Sequence, residues 1–167
     1  MSITTSRITP CLWFDGQAQQ AAEHYTSIFP NSQMGAVTHY TKAGQEVHGQ
    51  QAGSVLTVEF ELDGQSFTAL NGGPLYQFTE AISLQVHCDS QDEVDYYWEQ
   101  LSAGGDPAAQ QCGWLKDQFG VSWQIVPKVL NRLLFGGTEV QSEFVMGALM
   151  TMKKLDIEML ETAFVEA

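Results

Sequence analysis

The chain has 167 residues, 44% of them hydrophobic and 16% charged, with Lys plus Arg at 7 against Asp plus Glu at 20, for a net charge of −13. That length holds one domain of ordinary size or two small modules, with enough core to fold without a metal or a disulfide staple. So acidic a surface repels phosphate backbones and anionic membranes, which excludes nucleic acid and lipid surfaces as partners, and no apolar run approaches the ~18 residues of a membrane span.

Residues 1–7 are polar and lack the apolar stretch of a signal peptide. The cysteines Cys11, Cys88 and Cys112 are odd in number and contain no Cys-x-x-Cys pair. The expectation is a cytosolic protein with reduced thiols.

Ile8–Phe14 is an apolar, aromatic and β-branched run, hence a strand, closed by the turn signal Asp15-Gly16. Gln17–Phe29 reads as a helix, because Ala18, Ala21, Ala22, Tyr25, Ile28 and Phe29 recur at three- and four-residue spacing. Pro30 ends it. Met34–Tyr40 is a second strand and Lys42–Gly53 a polar loop. Ser54–Leu62 and Gln65–Asn71 are strands joined by Asp63-Gly64, a two-residue hairpin signal. Gly72-Gly73-Pro74 stops the sheet.

The order then repeats. Ala81–Cys88 is a strand, followed by a helix over Ser90–Ala103 with Ser90 as N-cap, Asp92 and Glu93 in its first turn and Gly104-Gly105 past its end. Gln110–Asp117 and Val121–Pro127 are strands around the turn Gln118–Gly120. The duplication is one of architecture, since no residue-level repeat accompanies it. Beyond it, Glu139–Lys153 is helical in pattern, and Val145, Ala148, Met152, Leu155 and Met159 step by 3-4-3-4, a seam spacing. Asp156 is the expected N-cap of a last helix, Ile157–Phe164. A Met-rich stripe of this kind docks on its own domain or on a twin subunit.

Strand alternation sorts the repeat's first strand into two faces. Ile82, Leu84, Val86 and Cys88 point one way, and Ser83, Gln85 and His87 the other. The apolar face packs on helices; the polar one faces solvent or a cleft.

The glycine pairs Gly72-Gly73, Gly104-Gly105 and Gly136-Gly137 match neither dinucleotide nor P-loop spacing, and no nucleophile elbow is present. Cys112 is a candidate nucleophile, against the commoner fate of a small buried hydrophobe. The histidines His24, His39, His48 and His87 contain no i, i+4 pair of the helical zinc kind. Glu59 and Glu61 share a strand face opposite Val58, Phe60 and Leu62 and read as solvated. Of the tryptophans, Trp13, Trp114 and Trp123 fall on strands and Trp98 on a helix, where they serve either a cavity wall or the core.

The block from Gly113 to Pro127, with Phe14-Asp15-Gly16, Ala69–Pro74 and Met152–Ile157, resembles the PhnB-like branch of the glyoxalase/bleomycin-resistance/dioxygenase (vicinal oxygen chelate) superfamily. That branch carries the name 3-demethylubiquinone-9 3-methyltransferase domain. The resemblance runs from about Ile8 to Ala163. It implies an α+β fold of two βαβββ modules curling into a cupped mixed sheet, residues 8–73 and 81–128 of a single domain spanning 1–137, with a helical extension over 138–167. It also implies a homodimer.

Metal-dependent members place His or Glu at positions that correspond here to Ile8 or Pro10, to Leu70 or Asn71, to Ser83 and to Gln124. None of these is His or Glu, and amide oxygens are poor ligands for a borderline metal. The expected site is therefore a cup that binds a small, partly apolar molecule, with Ser83, Gln85, His87 and Gln124 facing it, Asn71 at its rim and Trp114 or Trp123 in its wall. No cofactor is expected and no catalytic residue stands out. The alternatives are a metal-dependent lyase, isomerase or dioxygenase with ligands such as His39, His87 and Glu59, and the methyltransferase of the family name, which the missing methyl-donor loop disfavours.

Overall fold

The computed structural model describes residues 6–167; residues 1–5, which open the segment read as free of a signal peptide, lie outside the described residues. The chain divides into two units, with the boundary after Gln77.

In the first unit the Asp63-Gly64 hairpin organises the sheet. Both residues have positive φ, 45° and 81°, the conformation a two-residue turn needs to match the strand twist. It joins β3 (Val55–Leu62) to β4 (Gln65–Asn71). The other strands are β1 (Cys11–Phe14) and β2 (Gln33–His39), in the order β1-β4-β3-β2, with β1 parallel to β4 and the remaining pairs antiparallel. The parallel pair is what a helical crossover between strands produces. That helix is α1 (Ala18–Ile28), whose Ala18, Ala21, Ala22, Tyr25 and Ile28 are all buried. It packs on β3 and β4, where Val58, Phe60 and Ala69 are fully buried. The expected loop 42–53 contains one short helix, α2 (Gln45–His48), bounded by glycines in the left-handed region.

The second unit repeats the plan with one strand fewer. β5 (Leu84–Cys88) leads into α3 (Gln91–Ser102), whose N-cap Ser90 accepts from Glu93 N. β6 (Trp114–Lys116) and β7 (Ser122–Pro127) complete a sheet of order β5-β7-β6. A 3₁₀ turn at Pro107–Ala109 precedes β6, and the sheet has no fourth strand among the described residues. The expected strand Gln110–Asp117 shrinks to three residues. Cys112 adopts a positive φ of 51°, and the N–H groups of Cys112 and Gly113 donate to Met152 O and Lys153 O, at 2.8 and 2.7 Å, not to a neighbouring strand.

Three helices follow: α4 (Val129–Phe135), α5 (Glu139–Thr151) and α6 (Ile157–Val165). α4 was not legible in the sequence: it follows β7 directly, and its N-cap, Lys128, makes no side-chain cap. α5 starts with a full capping box, Thr138 with Gln141, and α6 with Asp156 accepting from Met159 N. The 3-4-3-4 stripe is not one continuous helical seam. α5 stops at Thr151, and Met152 and Leu155 enter the core from the connecting segment. With Leu130, Leu133, Leu134, Val145, Leu149 and Leu160 they form one apolar cluster, while Met159 is exposed.

Gln91 ties this C-terminal segment to the start of α3. Its amide donates to Leu155 O at 3.1 Å and accepts from Ile157 N at 2.9 Å, and beside it Lys154 pairs with Asp95 at 2.5 Å. Removing that amide leaves two part-buried backbone groups unpaired. Gln91→Met is expected to cost about 2 kcal/mol, read as faster amide hydrogen exchange across 152–165 with little change in β5–β7. Uniform exchange throughout the second unit would contradict that account.

Candidate functional site

The second unit's sheet has a covered face and an open one. Val86 and Cys88 on β5, Leu115 on β6, and Trp123, Ile125 and Pro127 on β7 are buried, and α3 packs against all three strands. Period-2 alternation then puts Gln85 and His87, Trp114 and Lys116, and Ser122, Gln124 and Val126 on the opposite face. Register brings them level. Gln124 is the partner of Gln85 in the parallel pair and of Trp114 in the antiparallel pair.

The polar groups are linked. Gln124 Nε2 donates to Ser83 Oγ at 2.7 Å, and Gln85 Nε2 donates to Gln124 Oε1 at 3.4 Å. Ser83, Gln124 and Trp114 are half-buried, while Gln85 and His87 are exposed. One end of the face is closed, because Val126 and Cys112 pack against the C-terminal apolar cluster.

Two residues of this face escaped the sequence reading. Lys116 pairs with Glu80 at 2.6 Å, and that contact holds the Glu80 carboxyl below its ordinary range. Ser122 is buried and its hydroxyl has no hydrogen-bond partner among the described residues. The available signal was parity, with Trp114 for Lys116 and with Gln124 for Ser122.

The structure corrects two expected positions. Trp123 does not share the face of Gln124: it is adjacent on the strand, hence reversed, 2% exposed, and its Nε1 donates to Asp117 Oδ2 at 2.8 Å. Asn71 is also turned away from the open face of its own sheet. It is 6% exposed, Oδ1 accepts from Ala18 N at 2.9 Å, and Nδ2 donates to Val55 O at 3.1 Å. Its amide starts α1, which has no capping side chain of its own at Gln17. Asn71 also borders a cleft of about 400 Å³ within the first unit, lined with Gln19, Gln20, Glu23 and Gln50. Trp13 is half-buried on the other face of this sheet, beside Leu70. Its Nε1 donates to Gly73 O at 2.8 Å, and Tyr76 meets its ring edge-on at 4.9 Å.

The residues do not fit a divalent cation. Ser83 and Gln124 offer neutral oxygens already engaged with each other or with Gln85, a weak donor set for such an ion. Among the described residues no group of three or more His, Cys, Asp or Glu is placed to hold a metal. His48 is occupied in its loop, accepting from Gln50 N at 3.0 Å and stacked near Tyr40. Burial pushes the Cys88 thiol up to about 11, so it carries no thiolate at neutral pH. Cys112 sits half-buried in its turn, 3.8 Å from Met150 Sδ.

A family model, 3-demethylubiquinone-9 3-methyltransferase, matches residues 6–126. The match ends inside β7, so the Met152–Ile157 block and helices α4–α6 lie outside it. Among solved structures, the PhnB protein from Bacillus cereus is 32% identical, with a TM-score of 0.61 over 73% of this chain and 99% of its own. Protein PA1353 from Pseudomonas aeruginosa is 18% identical, with a TM-score of 0.55 over 74% and 98%. The fosfomycin resistance protein FosX from Listeria monocytogenes is 16% identical, with a TM-score of 0.46 over 83% and 98%. No curated protein matches the chain.

Proposed function

Because the chain belongs to the 3-demethylubiquinone-9 3-methyltransferase domain family of the glyoxalase/bleomycin-resistance superfamily, we propose that it binds a small, partly apolar, oxygen-bearing molecule on the open face of its second sheet. The observation that carries this is the hydrogen-bonded row Gln85–Gln124–Ser83 beside the half-buried Trp114 ring. An amide both donates and accepts, so a row of amides and a hydroxyl recognises neutral carbonyl and hydroxyl groups without a fixed charge. Trp114 supplies the apolar wall such pockets need. The C-terminal cluster under Val126 shuts off one end.

No observation favours methyl transfer. The free cysteines suit the reducing cytosol, where we place the protein.

Native mass spectrometry of protein purified without denaturation is expected to show a retained small molecule on the wild type. Gln124→Leu should lose it, with the melting temperature held within about 3 °C, as for a half-exposed substitution outside the core. Equal retention by both proteins would remove the assignment to this face.

A further inference from the structure

The three strands of the second sheet contain a single Lys or Arg, Lys116 on β6, and alternation sets it on the open face with Trp114. It is also the least exposed ion-paired base among the described residues. Its side chain is 26% exposed, against 41% to 62% for Lys154, Lys128 and Arg132. In a chain of net charge −13, a largely covered ammonium on a face otherwise lined with amides and a ring draws an anion to one place.

The counter-ion that holds this place is exchangeable. Glu80 reaches Lys116 at 2.6 Å, but its side chain is 62% exposed and it belongs to no helix or strand. An ion pair with so solvated a partner contributes little to stability. Glu80 precedes β5, while β5 and β6 are the two edges of the sheet, with β7 between them. The Phe78 ring lies against the β6–β7 turn, within 4 Å of where a side chain at Gly120 would begin. Residues 78–83 therefore run across the turn end of the face, and Ser83 closes the crossing on Gln124, whose amide donates to it at 2.7 Å. The C-terminal cluster shuts the opposite end. Between them lies a trough floored by Gln124 and Trp114, with Lys116 at one end. Trp114 and Lys116 are two residues apart on one strand, which separates ring from ammonium by about 7 Å.

Given that the ligand lies on this face, as proposed above, we propose that Lys116 determines its class: a small aryl carboxylate, whose anion replaces Glu80 on Lys116 while its ring lies along Trp114. The exchange keeps the ammonium paired throughout. One carboxylate leaves as another arrives, and Glu80 moves into the water that already surrounds most of it. Covered by the ligand's own body, the new pair is less solvated than the one it displaces, and so stronger.

Titration of the full chain with 4-phenylbutyrate and with its uncharged isostere 4-phenylbutyramide, followed at the Trp114 indole N–H in nitrogen–proton correlation spectra, tests this. The carboxylate is expected to bind roughly tenfold tighter than the amide. Lys116→Met should abolish that preference while leaving the affinity for the amide within about twofold, and Lys116→Arg should keep it. Glu80→Gln should tighten binding of the carboxylate about threefold. If Glu80 served only to anchor residues 78–83, the same substitution would weaken both compounds alike. Equal binding of the two compounds by the wild type, a Lys116→Met protein that still prefers the carboxylate, or a Glu80→Gln protein that binds it no better would overturn the proposal and leave the face as the binding face. Failure of both compounds to move the Trp114 signal would count against the face itself, and the proposal would fall with it.

Discussion

Asp117→Ala is expected to destabilise the protein by about 4 kcal/mol, enough to lower Tm by roughly 8–16 °C in a chain of this size. Asp117 is buried and its carboxylate is fully used. Oδ1 accepts from Phe119 N at 2.8 Å and Val121 N at 3.0 Å, and Oδ2 accepts from the Trp123 indole at 2.8 Å. Alanine abandons a buried indole N–H and two turn amides together, and a buried donor without an acceptor costs more than its bond contributed. Asn keeps one acceptor oxygen but turns an N–H₂ toward donors, so Asp117→Asn should lie between. Thermal melting gives the order, and tryptophan fluorescence gives the cause: the emission of Asp117→Ala should shift to the red as Trp123 loosens. The consequence reaches the candidate site. Asp117 holds Trp123 inward, and alternation along β7 then turns Gln124 outward. A Tm within 2 °C of wild type would refute this reading of the turn.

Asn71→Ala is expected to cost about 2–3 kcal/mol, combining a lost helix cap with an unpaired Val55 carbonyl. The cap is supplied across 53 residues of sequence, from the end of β4 to Ala18 N. Asn71→Asp separates the two roles of the amide. A carboxylate still accepts from Ala18 N and gains from the positive end of α1, but it repels Val55 O. Its expected loss is about half that of alanine, chiefly at the Val55 contact. Urea denaturation of the three proteins decides it. If instead Asn71→Ala is as stable as wild type and only ligand retention falls, Asn71 belongs to a binding site and not to the start of α1.

These two residues also mark how far the sequence could be read. The sequence places Asp117 at the end of a strand, next to the turn Gln118–Gly120, where an acid has local donors to accept from. Its third partner, Trp123, is only six positions away, yet the choice between core and cavity wall for that ring was open. Burial of one strand face depends on where α3 comes to lie, and no spacing along β7 states it. Superfamily position points to Asn71 as a rim residue, while its working contacts come from the start of α1 and from Val55 at the start of β3. The open face itself was half legible: alternation sorted Ser83, Gln85 and His87 onto one side of β5, but Trp114, Gln124 and Ser122 joined them only through register. The 3-4-3-4 stripe failed as one helix because Met152 and Lys153 give their carbonyls to Cys112 and Gly113. That pairing takes the connecting segment out of helical geometry and makes the strand before Trp114 short.

The amino-acid order alone determined what travels along the chain: hairpin, caps, alternation, the acidic surface and the doubled strand–helix–strands plan, all set by contacts between residues a few positions apart. Tertiary structure decided what covers what. Which face of β7 is core, which amide starts α1 and which side of α5 stays bare are settled by other elements of the fold, in one case 53 residues away, between Ala18 and Asn71. A local pattern assigns a side chain to a face, and only the packing of remote elements supplies that face with a neighbour.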